Sequence, residues 1–438
     1  MQDPLPIAPV GDPIDATVDL PGSKSITNRA LVCAALADGP STLTGALDAD
    51  DTQAMTDNLG RLGVGVTVRG DGTIAVEPPS AADRERRRNR PGPVEVVDAR
   101  QSGTTSRFLL PLLALDGAER VLDGDVQLRD RPMGPTFDAL RALGASVRDD
   151  ERAGHLPVRV RGPLTSGAVE LSGDVSSQFL SGLLLVGPAV PGGIAIRLTT
   201  ELISRPYVEM TAAVMSAFGA GVTEAGDTWT VDGTGYRGTT YAIEPDASAA
   251  SYAWATALVT GGRVTVPGLH RGSLQGDVAF VDVLERMGAA VTWHDDAVTV
   301  AAGPGLHGVD VDMAHISDTV PTLAALAALA DSPTTIRGVG FIRDKESDRI
   351  AGPVAELARC GIDAVATDDG MVIRPGPIHA ATFETYRDHR MAMAFGLLGL
   401  AVPGMAVRDP DCVAKTFPGF WDLLDGLRAG SVAPSRQR

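Results

Sequence analysis

Cysteine is nearly absent. The 438-residue chain has three, Cys33, Cys360 and Cys412, too few and too scattered for a disulfide framework or a metal site. That scarcity fits a reducing cytoplasm. Aromatic residues make up only 4%, so the core is built from Ala, Val and Leu, whose small side chains suit close helix packing. Surplus positive charge is also missing. A net charge of -17 excludes nucleic acid, whose phosphates need a basic surface, and equally an anionic membrane face. No apolar run reaches the length of a membrane span. The opening MQDPLPIAPVGDPIDA has neither a basic start nor an apolar segment, which excludes a signal or transit peptide. The seven His residues show no ligand spacing, so no metal or other cofactor is expected.

Repetition is what the chain does have. Six times, a short extended segment enters a loop of small polar residues and then an Ala/Leu-rich stretch. The copies begin at Ala16, Val94, Ala168, Thr240, Val309 and Ala381. In each, residues favouring strands give way to Ser, Thr or Asp suited to cap a helix, and Gly is expected to close that helix. Most copies continue with a second helical pattern, such as FDALRALGASV or VDVLERMGAAV, and a strand pair around a turn.

The fold class is therefore α/β, with two pseudo-symmetric domains of three strand-helix-strand-helix-strand-strand repeats. The sixth copy ends early, and the residues before Pro21 are expected to supply its missing strands. The first domain would then be residues 24–244, and the second residues 1–23 and 245–438. Residues 80–93, SAADRERRRNRPGP, break the pattern and read as a solvated loop.

All six polar loops precede helix N-termini, where unpaired N–H groups favour anions. Basic residues collect there or at the second-helix starts: Lys24, Arg29, Arg107, Arg131, Lys345, Arg349, Arg390 and Lys415. One such residue is ordinarily a solvated charge. So many at equivalent repeat positions suggest a cleft for anions. Two anions about 5 Å apart repel by roughly 3 kcal/mol at an effective dielectric near 20, so binding both needs several cations. Lys24 itself reads as an exposed loop charge.

At GSKSITNRA the sequence resembles the 5-enolpyruvylshikimate-3-phosphate synthase family. The resemblance recurs in order at SGTTSRF, DRPMG, DVSSQFLSGLL, ELISRPY, KESDR, DHRMAMAF and AKTFPG, across almost the whole chain. It implies the inverse α/β fold of enolpyruvyl transferases, a monomer, and two small-molecule substrates, shikimate 3-phosphate and phosphoenolpyruvate. Lys24, Ser25 and Arg29 are similar to contacts with shikimate 3-phosphate, Lys24 also reaching phosphoenolpyruvate. Ser176, Ser177 and Ser204 resemble the hydroxyls that hold the first substrate's phosphate, and Gln178 a residue touching both substrates. Gly103 matches a glycine beside phosphoenolpyruvate. Arg131, Arg349, Arg390 and Lys415 resemble the clamp on that substrate, with Lys345 on the shikimate side. Asp318 matches the acceptor of the hydroxyl proton and Glu346 a proton shuttle, with Lys24 completing the catalytic set. Judged singly, Asp318 would be a helix cap, Glu346 a surface partner of Arg349 and Ser176 a cap. Tyr207 and His389 are weaker matches. Phe341, Phe108 and Gln101 depart from the residues many members have there, Asn, Pro and Asn.

A transferase acting on UDP-N-acetylglucosamine would share the fold. That family usually carries a reactive Cys in the region matching AERVLDGDVQLRDRPMG, which has none. A non-catalytic repeat scaffold is a second alternative. It predicts scattered polar residues in the six loops, not cations with one Asp and one Glu.

Overall fold

The computed structural model describes residues 1–80 and 94–430. Apart from Ser80, the charged stretch at 80–93 lies outside them. The chain divides into two compact units, one of Gly22–Ile243 and one joining Met1–Pro21 to the chain from Glu244 onward. Among the described residues each unit holds three small sheets.

The second repeat shows the common plan. Glu95–Asp98 runs parallel to Arg120–Asp123, which pairs antiparallel with Val158–Arg161, itself antiparallel to Ser146–Asp149. The first helix, Gly103–Leu113, makes the crossover between the parallel strands, the connection a parallel pair requires. The third and fifth repeats repeat this order.

The first and fourth repeats do not keep their own leading strands. Asp15–Thr17 pairs parallel with Arg263–Pro267 of the fourth repeat, and Thr240–Ala242 pairs parallel with Ser41–Thr44 of the first. The exchange corrects the simple repeat reading. It follows from where the chain leaves each unit, at Pro21–Gly22 and Ile243–Glu244, just after these strands. In the sixth repeat, Thr382–Phe383 lies parallel to Ala406–Val407, whose other edge takes Leu5–Pro6 antiparallel. One N-terminal strand thus fills the place of the missing hairpin.

The first helices form the interior. Lys24–Leu36, Gly103–Leu113 and Ser177–Val186 are buried on nearly all sides in one unit, as are Ala247–Thr260, Val320–Ala327 and His389–Gly396 in the other. Ala, Leu and Gly on these helices permit close approach. A Cβ added to Gly182 would lie 2.4 Å from the carbonyl oxygen of Arg107, so the helix Ser177–Val186 passes against bare backbone. The sheets lie outside, and strands such as Gly65–Val68 are largely exposed.

Caps follow the sequence in five repeats: the side chains of Ser23, Ser102, Ser176, Asp246 and Asp388 each accept an N–H of the first helical turn. The fifth first helix, Val320–Ala327, begins at Thr319 with no side-chain cap. Closure by glycine is less regular than expected. Gly261 ends its helix in the left-handed region at φ 73°, whereas the helix Lys24–Leu36 ends on Ala37 in an extended conformation. No helix of the described residues is long and apolar enough to cross a membrane.

Candidate functional site

The residues singled out above divide between the two units, and in each unit side-chain contacts gather several of them, while Ser204, Lys345 and Lys415 are placed by burial and position. In the unit Gly22–Ile243, Ser23 caps the helix that Lys24 begins. Lys24 is not the exposed loop charge its sequence context suggested. It is buried, and its ammonium lies 3.3 Å from Asp51 Oδ2, a carboxylate that is buried too. The Asp51 carbonyl accepts the Thr105 hydroxyl at 3.0 Å, which ties this pair to the second repeat's loop. One turn beyond Lys24, buried Arg29 donates to Thr211 Oγ1 at 2.7 Å, to the Ser25 carbonyl at 2.8 Å and to the Tyr207 carbonyl at 3.0 Å. Its guanidinium stands 5.1 Å from the centre of the Phe108 ring. Phe108 is thus a stacking partner for a buried cation. Burial pulls the Arg29 group down to about 10, and it stays charged at neutral pH.

Gly103 opens the second repeat's helix. A Cβ there would meet the Arg107 and Arg131 guanidinium nitrogens, each at 2.5 Å. Two buried guanidinium groups therefore press on one side-chain-free residue at a helix N-terminus. Like charges in that position favour an anion between or beside them. The neighbouring third repeat contributes Gln178, whose Nε2 donates to Thr104 Oγ1 at 3.2 Å. Ser176 is a cap, accepting the Gln178 N–H at 3.3 Å, and Ser177 begins the buried face of the same helix. Ser204 is different. It is buried, sits in the left-handed region at φ 51° and makes no cap. Such strain in a non-glycine residue is a feature of binding sites.

The second cluster centres on Arg349, almost fully buried. It donates to Asp388 from Nε at 2.8 Å and from Nη2 at 3.1 Å, to Glu346 at 2.7 Å and to Asp318 Oδ1 at 3.2 Å. Burial opposes its charge, but Asp388, Glu346 and Asp318 outweigh that and hold the group above its ordinary range. Arg390 takes the other Asp318 oxygen at 2.6 Å and donates to Ser248 Oγ at 3.4 Å. Asp318 is therefore no helix cap. It lies in the turn Ser317–Thr319, its two oxygens held by two guanidinium groups. Glu346 pairs with Arg349 as its spacing suggested, yet with only 13% of its side chain exposed it is no surface residue.

His389 and Arg390 begin the sixth repeat's first helix, and both are buried. Lys415 is buried at the end of the turn Pro410–Lys415. Lys345 is half-buried, with its ammonium 6.0 Å from the centre of the Phe341 ring. Phe341, where an amide was expected, thus packs under a cation.

Sequence reasoning missed Asp51, Asp388, Ser248 and Asp277. Asp388 both caps its helix and grips Arg349. Its signal was an acidic residue at the start of a repeat helix, which elsewhere means a cap alone. Asp277, in the turn Gly276–Ala279, is 4% exposed and accepts the Ser248 hydroxyl on Oδ2. Nothing in QGDVAF distinguished it from a surface acid.

This architecture is that of the enolpyruvyl transferases. A solved enolpyruvyl transferase, NikO from Streptomyces tendae, matches it with a TM-score of 0.77, covering 98% of each chain at 22% identity, a likeness of fold alone. EPSP synthase from Acinetobacter baumannii matches with a TM-score of 0.81 at 26% identity, over 97% of this chain and 98% of that one. The sequence is more telling. The pattern of the EPSP synthase family (3-phosphoshikimate 1-carboxyvinyltransferase) covers residues 9–424. A 3-phosphoshikimate 1-carboxyvinyltransferase of Methanosphaerula palustris is 43% identical over 417 residues, 94% of this chain and 96% of that one. Another, from Nostoc punctiforme, is 42% identical over 424 residues, 96% of this chain and 98% of that one. The chain belongs to the EPSP synthase family.

Proposed function

We propose that the protein transfers the enolpyruvyl group of phosphoenolpyruvate to the 5-hydroxyl of shikimate 3-phosphate, using both clusters. The hydroxyl oxygen attacks C2 of the enol while C3 gains a proton. Loss of a C3 proton and of inorganic phosphate then restores the double bond. Asp318 accepts the hydroxyl proton, and Glu346 exchanges the proton at C3. Lys24, Arg131, Arg349, Arg390 and Lys415 hold phosphoenolpyruvate, with Gly103 beside it. Ser25, Arg29, Ser176, Ser177, Ser204 and Lys345 hold shikimate 3-phosphate, and Lys24 and Gln178 touch both substrates. Each charge-assisted hydrogen bond contributes on the order of 1.5–3 kcal/mol. The same reading makes the protein a cytoplasmic monomer.

The observation that carries the assignment of the chemistry is Asp318. At the one repeat where the helix lacks a side-chain cap, the expected capping carboxylate is instead held by two arginines. A proton acceptor must be fixed within hydrogen-bond reach of its substrate, and the two guanidinium groups that hold both Asp318 oxygens support that role. Phosphate release should require both substrates together, and Asp318→Ala should lower kcat by about 10²- to 10⁴-fold. An Asp318→Ala enzyme with an unchanged rate would remove that residue from the mechanism.

A further inference from the structure

Asp277 is a buried acid that the reaction as described does not use. Its Oδ2 accepts the hydroxyl of Ser248, and Ser248 Oγ in turn accepts Arg390 Nη2 at 3.4 Å. The same Nη2 donates to Asp318 Oδ2 at 2.6 Å. Two carboxylates thus compete for one guanidinium edge, Asp318 directly and Asp277 through a hydroxyl. We propose that Asp277 is a positioning residue that, through Ser248, sets how far Arg390 is available to the anionic substrate.

The surroundings make this competition adjustable. Burial, and then the nearby Asp318 charge, push the Asp277 carboxyl up to about 7, against the opposing pull of Ser248 and Arg390. The charged groups facing it are Asp318 from the turn Ser317–Thr319, Arg390 from the helix His389–Gly396 and Asp246 at the start of the helix Ala247–Thr260. Asp282, Glu285 and Arg286 of the helix that follows Asp277 are exposed. Tyr252, also buried near Arg390, is pushed up to about 12 by burial and stays protonated over the working range. Below neutrality Asp277 carries its proton, and Arg390 is left to Asp318 and the substrate. As pH rises through neutrality, Asp277 ionises and draws the shared Nη2 toward Ser248. Phosphoenolpyruvate binding then weakens.

This rests on Arg390 contacting phosphoenolpyruvate, as proposed above. The test compares KM for phosphoenolpyruvate between pH 6 and pH 8, at saturating shikimate 3-phosphate, in wild type, Asp277→Asn and Arg390→Ala. The ionisation of phosphoenolpyruvate itself is common to all three and cancels in their ratios. Asn keeps an oxygen for Ser248 but cannot ionise. At pH 6 it should match wild type. At pH 8 wild-type KM should exceed that of Asp277→Asn by at least about fivefold, the low end of ordinary coupling between linked sites. Parallel profiles would overturn the proposal, because a merely structural role would not move the pH dependence. If Asp277→Asn does not fold, Ser248→Ala cuts the same link and should flatten the profile equally; a profile unchanged there overturns it too. The reading beneath it fails separately: Arg390→Ala with an unaltered KM would take Arg390 off the substrate altogether.

Discussion

Arg349 gathers Asp318, Glu346 and Asp388 around one buried guanidinium, and Lys24 buries a charge against Asp51. Charges taken out of water stay charged only when paired or hydrogen-bonded, so these pairings stabilise the fold whatever the residues do for a substrate. Lys24→Met is therefore expected to do two things. It should abolish phosphate release, and it should lower stability on the order of 3 kcal/mol by removing a buried partner of Asp51. Urea denaturation and the release assay check the two parts independently. Gly103→Ala places a methyl group where two guanidinium groups lie. KM for phosphoenolpyruvate should rise by more than KM for shikimate 3-phosphate, and steady-state kinetics with each substrate varied would show it. At this scale the sequence showed where basic residues gather, because they recur at equivalent repeat positions. It was ambiguous for Asp and Ser, because the same side chain serves as cap, base or ligand. Asp318 and Ser204 are not caps, Ser176 is, and only the folded structure separates them. Asp277 was invisible because the partner that makes it interesting, Ser248, is in another helix.

The leading strand and buried first helix were readable six times from capping residues and Ala/Leu-rich runs, and the second helix with its strand pair in most copies. The exchange of leading strands was not. A three-residue strand such as Thr240–Ala242 carries no pairing information, and its parallel partner is set by where the chain crosses between units. The interior helices also demand small residues for a reason the composition only hinted at: their backbones nearly touch. Gly182→Ala should force the helix Ser177–Val186 away from the Arg107 carbonyl and destabilise the protein by about 1–3 kcal/mol. Thermal denaturation would report it, and an unchanged Tm would mean that this contact relaxes freely.

Across the whole molecule, an excess of acid coexists with buried basic groups. The chain carries -17, yet Lys24, Arg29, Arg131, Arg349, Arg390 and Lys415 are all buried, where counter-ions in solvent screen them least. The N-terminal segment belongs with the unit that begins again at Glu244. Deleting residues 1–10 removes the strand Leu5–Pro6 from its partner Ala406–Val407. Hydrogen exchange should then rise at residues 381–408, while the unit Gly22–Ile243 keeps its protection.

That pairing also imposes an order of events during synthesis. Asp15 meets Arg263 across a separation of 248 residues, and Asp3 meets Asp409 across 406. At about 5–20 residues per second, the leading strands emerge from the ribosome on the order of ten to eighty seconds before their partners exist. These strands must stay unpaired and unaggregated through that interval, and the Pro-rich, acidic composition around them (MQDPLPIAPVGDPIDA) suits such a wait.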